Sequence, residues 1–324
     1  MKIQRNKVVI IGAGQVGSAV LSTLLTSGSI AEIVIIDKNE KKAYGEALDG
    51  SHSTAFAYSP NIKVKQGTYM DCEDASIIVI TAGPSAQPGK PVDRIALAQQ
   101  NIDVVKEVME QVITYTMDAI IIMVSNPVDI LTYYAQNYFG YPVEKIFGTG
   151  TTLDTARFRR ILGQKYLIDT KNVHGYILGE HGETAFATWS SSNIAGVPID
   201  DFDIIYDDVP LDKEAVVEEV KLVGYEILIN KGYTNIGIAK SVDRIIRAIL
   251  INELSVLPLS TTLTGEYGIE DVALSLPCIV TKDGIGRRLE VPLSLDETSK
   301  LRASAEFLRE SFKNSYKVPG PKKV

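Results

Sequence analysis

The chain has 324 residues, enough for two medium domains with a real core, and its 45 % apolar and 23 % charged residues are ordinary globular values. A formal net charge of −7 argues against nucleic acid or an anionic membrane as partner, and a small anionic substrate would need a local cluster of arginines. Two cysteines without CxxC spacing, Cys72 and Cys278, read as buried thiols of a reducing compartment, and no metal site is expected.

Near the start, Lys2, Arg5 and Lys7 precede only four apolar residues before Gly12, too few for a secretory signal. The longest apolar run, residues 119–124, is far below a membrane span, so a soluble, cytoplasmic protein is expected.

In chain order, continuous apolar runs at 7–11 (KVVII), 32–37 (EIVIID), 76–81 (SIIVIT) and 119–124 (AIIIMV) predict strands buried on both faces of a parallel sheet. KIFGTG at 145–150 reads as the last of them. Between the third and fourth runs, Ile95, Ala98, Ile102, Val105, Met109 and Val112 form one helical stripe. This alternation predicts a Rossmann-type, doubly wound α/β sheet. Ahead of that helix, GPSAQPGKPVDR carries three prolines and two glycines, a composition that reads as a mobile lid.

Past residue 148 the texture changes to that of an α+β unit. A helix is predicted over 153–162, then a strand over 172–178 (NVHGYIL). Two helices follow, striped by Val216, Val220, Val223 and Ile227 and by Ile238, Val242, Ile245 and Ile249, the first ending at Lys231-Gly232. Residues 278–293 predict a hairpin around Asp283-Gly284, and a terminal helix spans 297–312. Two packed domains are expected, 1–147 and 148–324.

The first turn names a ligand for the N-terminal unit. In VVIIGAGQVGSAV, Gly12 permits the tight turn, Gly14 admits a pyrophosphate to the backbone, and Gly17 lets helix and strand pack closely. The helix N-terminus then offers N–H groups to phosphate. Asp37 closes the next strand twenty residues past Gly17, where a carboxylate accepts ribose hydroxyls and repels a 2′-phosphate. NAD is expected rather than NADP.

Two of the three histidines lie in HGYILGEHGET, at 174 and 181. Their odd separation puts them on opposite faces of a strand, provided Gly179 keeps the phase. On the preceding helix, Asp154 and Arg157 share a face and Arg159 points away. The expectation is two sites: Asp154, Arg157 and His181 in one, Arg159 and His174 in the other. A histidine moves a proton near neutrality, a carboxylate fixes its tautomer, and an arginine grips a substrate carboxylate with two parallel hydrogen bonds. That set suits a 2-hydroxy acid.

DTAR at 154–157, LGEHGET, VSNPVDI at 124–130, TAG at 81–83 and NKGYT at 230–234 resemble NAD-dependent L-lactate dehydrogenases of the lactate/malate dehydrogenase superfamily, and the resemblance runs from about Lys7 to Phe312. It implies His181 as proton donor and acceptor, Asp154 as its partner, Arg157 as carboxylate clamp and Arg94 as the lid residue that polarises the carbonyl. It places Gln87, Asn126 and Thr234 at the substrate, and Val16, Lys42, Tyr69, Gly83, Pro84, Val124 and Asn126 at NAD beside the glycines and Asp37. Arg159 and His174 resemble the fructose 1,6-bisphosphate site of activated bacterial relatives, and a homotetramer is implied. The lid has only Lys90 as a cation ahead of Arg94, so a second substrate carboxylate would be uncompensated and pyruvate/lactate is favoured over oxaloacetate/malate. The stretch after Pro88-Gly89 is about two residues longer than in the family. With the small Gly224, it leaves a 2-hydroxyisocaproate-type enzyme for bulkier keto acids as the alternative, against which Thr234 keeps the pocket small.

Overall fold

The computed structural model describes residues 6–56, 58–85, 94–206 and 211–316. Strand and helix alternate through the first half: β1 (Lys7–Ile11), α1 (Gln15–Leu24), β2 (Glu32–Ile36), α2 (Glu40–Ser53), β3 (Lys63–Gln66), β4 (Ile77–Ile80), α3 (Arg94–Tyr115), β5 (Ile120–Met123), α4 (Val128–Tyr138) and β6 (Ile146–Gly148). The strands lie in the order β3-β2-β1-β4-β5-β6, all parallel, so the chain reverses its direction of growth between β1 and β4. Each residue of β1, β2, β4 and β5 is buried, which is why their sequences are apolar without alternation. Along β1, Val8 and Ile10 join a core shared with α1 and α8, whereas Val9 and Ile11 join the one beneath α3, α4 and α9.

The second half holds α5 (Thr152–Lys165), β7 (Val173–His174), β8 (Ile177–Leu178), β9 (Phe186–Ala187), β10 (Asn193–Ile194), β11 (Val197–Pro198), α6 (Ile199–Tyr206), α7 (Lys213–Lys231), α8 (Ile236–Leu250), β12 (Val256–Thr264), β13 (Glu270–Thr281), β14 (Gly284–Arg288) and α9 (Leu295–Ser315). The parallel sheet does not stop where the sequence texture changes. Ser260 of β12 pairs antiparallel with Gly148 of β6, and β13 and β14 follow, giving nine strands in one sheet among the described residues.

The predicted hairpin forms, with Thr281 opposite Gly284, and α7 ends at Gly232 with φ 91°. Two expectations need correction. Ile95 does not belong to the buried stripe: it lies on the first turn of α3, 53 % exposed, and burial begins at Ala98. The predicted strand over 172–178 is two strands in two sheets, β7 beside β10 and β8 beside β9. Gly175 breaks it, with φ 159° and no room for a side chain, since a Cβ there would fall 2.4 Å from Ser192 Oγ. β3, whose sequence KVKQ carries two lysines, has no apolar run because it is the edge strand.

Candidate functional site

Gly12, Asp37, Thr81–Gly83 and Val124–Asn126 all follow C-terminal ends of parallel strands, on either side of the β1/β4 reversal where doubly wound sheets bind ligands. The three glycines of the first turn are required for different reasons. A Cβ on Gly12 (φ 111°) would meet the Ala82 nitrogen at 2.7 Å, and one on Gly17 would lie 1.8 Å from the Gly12 carbonyl oxygen. A Cβ on Gly14 would meet nothing within 4 Å, so the space beside it is open. Gly14 is also the N-cap of α1 and brings no side-chain cap, so the helix presents N–H groups to that space.

Asp37 ties the turn to the end of β2, accepting the Ala13 N–H at 2.6 Å and the Asn39 N–H at 2.8 Å. Each oxygen keeps acceptor capacity for a hydroxyl. Thr81 donates to the Gly12 carbonyl (2.9 Å), and Ser125 to the Ala82 carbonyl (2.6 Å), lacing three of the four loops together. Val16 lies on the first turn of α1, Lys42 is exposed near the start of α2, and Tyr69 opens a short 3₁₀ turn, residues Tyr69–Cys72. Asn101 of α3 fills the space a side chain on Gly83 would need and donates to the Pro84 carbonyl at 3.1 Å. An open phosphate cradle, a free helix N-terminus and a carboxylate at the ribose position fit a dinucleotide without a 2′-phosphate.

The second group of residues converges on His181. Gly179 (φ 87°) bridges to Ser275 of β13, and Ser304 of α9 accepts the Glu180 N–H at 2.7 Å, so the loop carrying the histidine is fixed from two elements. The start of α5 is fixed to the same place: Thr151 donates its N–H to Ser275 Oγ (3.0 Å) and its hydroxyl to the Ile177 carbonyl (2.5 Å). Asp154 thereby meets His181, Oδ2 to Nδ1 at 2.6 Å, while its Oδ1 accepts from Arg157 Nη1 at 3.0 Å. Burial alone would raise the Asp154 carboxyl, but the charges of His181 and Arg157 outweigh it and hold the carboxyl below its ordinary range. The Asp154 charge in turn raises His181 to about 9. The His181 side chain is still 29 % exposed, so it is reachable from outside.

A second carboxylate bears on the same histidine. Asp129, on the first turn of α4 and 3 % exposed, accepts the His181 backbone N–H at 2.7 Å and the Ser260 hydroxyl at 2.5 Å. Burial pushes its carboxyl up to about 6, against the pull of those two donors. The motif VSNPVDI contains this residue but by itself gives it no role. The available signal was a charge between Val128 and Ile130 in an apolar helical run.

The structure brings His181, Asp154 and Arg157 together and keeps Arg159 away from them. Arg159 donates Nε and Nη2 to the Gly175 carbonyl (3.2 and 3.1 Å) with its guanidinium 5.6 Å from the centre of the Tyr176 ring, and His174, exposed, precedes that same glycine. Strand parity is not the cause of this separation; the break at Gly175 and the left-handed turn at Gly179 are. Asn126, just ahead of the Pro127 N-cap of α4, accepts the Val128 N–H at 3.2 Å, and Thr234 is half-buried in the turn between α7 and α8. Gly224 of α7 faces the Arg157 guanidinium, where a Cβ would stand 3.5 Å from both terminal nitrogens. Arg94 is the first residue of α3, its side chain outside the description, and Gln87 and Lys90 lie outside the described residues.

Residues 6–148 match the lactate/malate dehydrogenase NAD binding domain, and residues 151–318 match the alpha/beta C-terminal domain of the same enzymes. The chain is 57 % identical over 314 residues to L-lactate dehydrogenase 2 of Clostridium acetobutylicum, covering 97 % of this chain and 98 % of that protein. It is 49 % identical to the L-lactate dehydrogenase of Selenomonas ruminantium over 95 % of this chain and 97 % of that one. Among solved structures, the ligands-bound minor L-lactate dehydrogenase of Enterococcus mundtii superposes with a TM-score of 0.92 at 37 % identity, covering 97 % of this chain and 99 % of the other. With both of its halves matched and these relatives aligned nearly end to end, the chain belongs to the lactate/malate dehydrogenase family.

Proposed function

We propose that the protein is an NAD-dependent L-lactate dehydrogenase that interconverts pyruvate and L-lactate. One observation carries the reading: a single buried carboxylate, Asp154, holds a reachable histidine by Nδ1 and an arginine by Nη1, at 2.6 and 3.0 Å. Bound NADH supplies the hydride. His181 enters pyruvate reduction as the imidazolium and gives its Nε2 proton to the carbonyl oxygen; in lactate oxidation the neutral ring takes that proton back. Asp154 keeps Nδ1 protonated throughout and stabilises the charged ring. Arg157 uses the donors it does not give to Asp154 to hold the substrate carboxylate, and the missing side chain of Gly224 leaves its guanidinium space. Gly12, Gly14, Val16, Gly17, Asp37, Lys42, Tyr69, Gly83, Pro84, Val124 and Asn126 hold the cofactor, while Asn126, Thr234, Gln87 and Arg94 complete the substrate pocket.

Finer parts of the same proposal are a cytoplasmic homotetramer and a fructose 1,6-bisphosphate site at Arg159 and His174. Their approach to one glycine, by hydrogen bond and by sequence, supports the second. The test is NADH oxidation by purified protein, comparing kcat/KM for pyruvate, oxaloacetate and 2-ketoisocaproate. Pyruvate is expected ahead by about tenfold or more, roughly 1.4 kcal/mol of transition-state discrimination. Equal or faster use of 2-ketoisocaproate would assign the chain to the hydroxyisocaproate type, and of oxaloacetate to the malate type.

A further inference from the structure

His181 is held by two carboxylates, and the reading of its chemistry uses only one. Asp154 acts on the ring. Asp129 acts on the backbone, through a 2.7 Å hydrogen bond from the His181 N–H, and sits three residues after Asn126 on the helix turn whose Val128 N–H Asn126 accepts. Its other oxygen is occupied by Ser260 of β12, the residue at which the antiparallel strands join the parallel sheet. One buried side chain therefore connects the loop of the proton donor, the turn of Asn126 and the centre of the sheet.

We propose that Asp129 is a positioning residue for the proton-transfer step: it fixes His181 relative to Asn126 and lends the imidazolium a second buried negative charge. The inference rests on His181 being the proton donor. A hydrogen bond to a backbone N–H needs no charge on the acceptor, and an asparagine or a serine there would satisfy the N–H at far lower desolvation cost. A carboxylate buried at this position makes sense if its charge is used, and the nearest group able to use it is the imidazole that must be cationic when pyruvate binds.

Other charged groups stand around the pair. His181 faces Asp154 and Arg157 from α5 and Asp129 from α4, with Glu180 beside it on its own loop. Glu180 is engaged by the Thr184 N–H and hydroxyl. Asp129 meets the neutral Ser260 from β12 and borders a cavity of about 220 Å³ that Asp271 of β13 and Arg309 and Lys313 of α9 also line. Arg309 is directed to Glu306 and to the Glu270 carbonyl, so it does not neutralise Asp129.

The experiment is the pH dependence of kcat/KM for pyruvate with saturating NADH, on the whole enzyme. Reduction needs protonated His181, so activity is lost as pH rises through its pKa. Asp129→Asn keeps an acceptor for the His181 N–H and turns its amide N–H toward the Ser260 oxygen, removing only the charge. The alkaline limb is expected to move to lower pH by about one unit, the lower end of what a nearby opposite charge is worth. Ser260→Ala leaves the carboxylate but takes away its donor, and is expected to move the limb the same way by less. A limb that stays in place in Asp129→Asn while activity or melting temperature falls would mean a purely structural role and overturn the proposal. Where Asp129→Asn does not fold, an unmoved limb in Ser260→Ala does so. His181→Asn in the same series separates the two readings: if it retains full activity, the assignment of the proton donor fails, whatever Asp129 does.

Discussion

The two histidines of the 174–184 segment are neighbours in sequence with opposite circumstances. His181 sits in a finished arrangement: ring nitrogen on Asp154, backbone N–H on Asp129, loop fixed to β13 and α9. His174 is exposed on a two-residue strand, and Arg159 nearby spends its guanidinium on a backbone carbonyl and a tyrosine face. A group that must transfer a proton on every turnover is preorganised within one chain, so that nothing reorganises at the moment of reaction. His174, proposed above as part of an effector site, is left exposed instead, and a ligand bound there would alter turnover only through a difference in affinity between two states.

The largest effect expected on this contrast is from His181→Asn, which leaves a side chain of similar size without the acid–base function. Its kcat for pyruvate should fall by about 10³-fold with NADH binding unchanged, measured by steady-state kinetics and fluorescence titration of NADH. A loss below tenfold would remove the histidine from the chemistry. Arg157→Lys is expected next. It keeps the charge but breaks the two-point grip, so KM for pyruvate should rise by about 10²-fold, with a smaller change in kcat. An unchanged KM would place the carboxylate elsewhere. The smallest effect on turnover belongs to the other histidine: Arg159→Ala with His174→Ala should abolish the response to fructose 1,6-bisphosphate, with kcat/KM in its absence within about twofold of wild type. A double variant that still responds fully would move the effector site.

Most of the parallel sheet was legible because strands buried on both faces must be apolar throughout, and β1, β2, β4 and β5 announce themselves. β3 did not, since an edge strand needs no such run. The pairing of Asp154 with Arg157 followed from helical spacing, and the structure adds that one carboxylate serves both Arg157 and His181. The charge of Asp129 in an apolar run marks the residue, but its role was hidden for a physical reason. Its partners are a backbone N–H fifty-two residues away and a serine one hundred and thirty-one away, and neither a backbone donor nor a lone serine leaves a pattern in sequence. The break in residues 172–178 was hidden likewise. Gly175 is excluded from having a side chain by Ser192 and Phe158, contacts that exist only once the chain has folded.

The pairing of Ser260 with Gly148 has a further consequence, for folding cooperativity. Two domains of one family meet near residue 150, yet β6 gives its outer edge to a strand more than a hundred residues later, and α1 and α8 share one core. Separated at that boundary, the first half would carry an unpaired strand edge and a stripped apolar face, the conditions under which a sheet recruits strangers. The point at which the two domains meet in sequence is therefore not a boundary of the sheet or of its core.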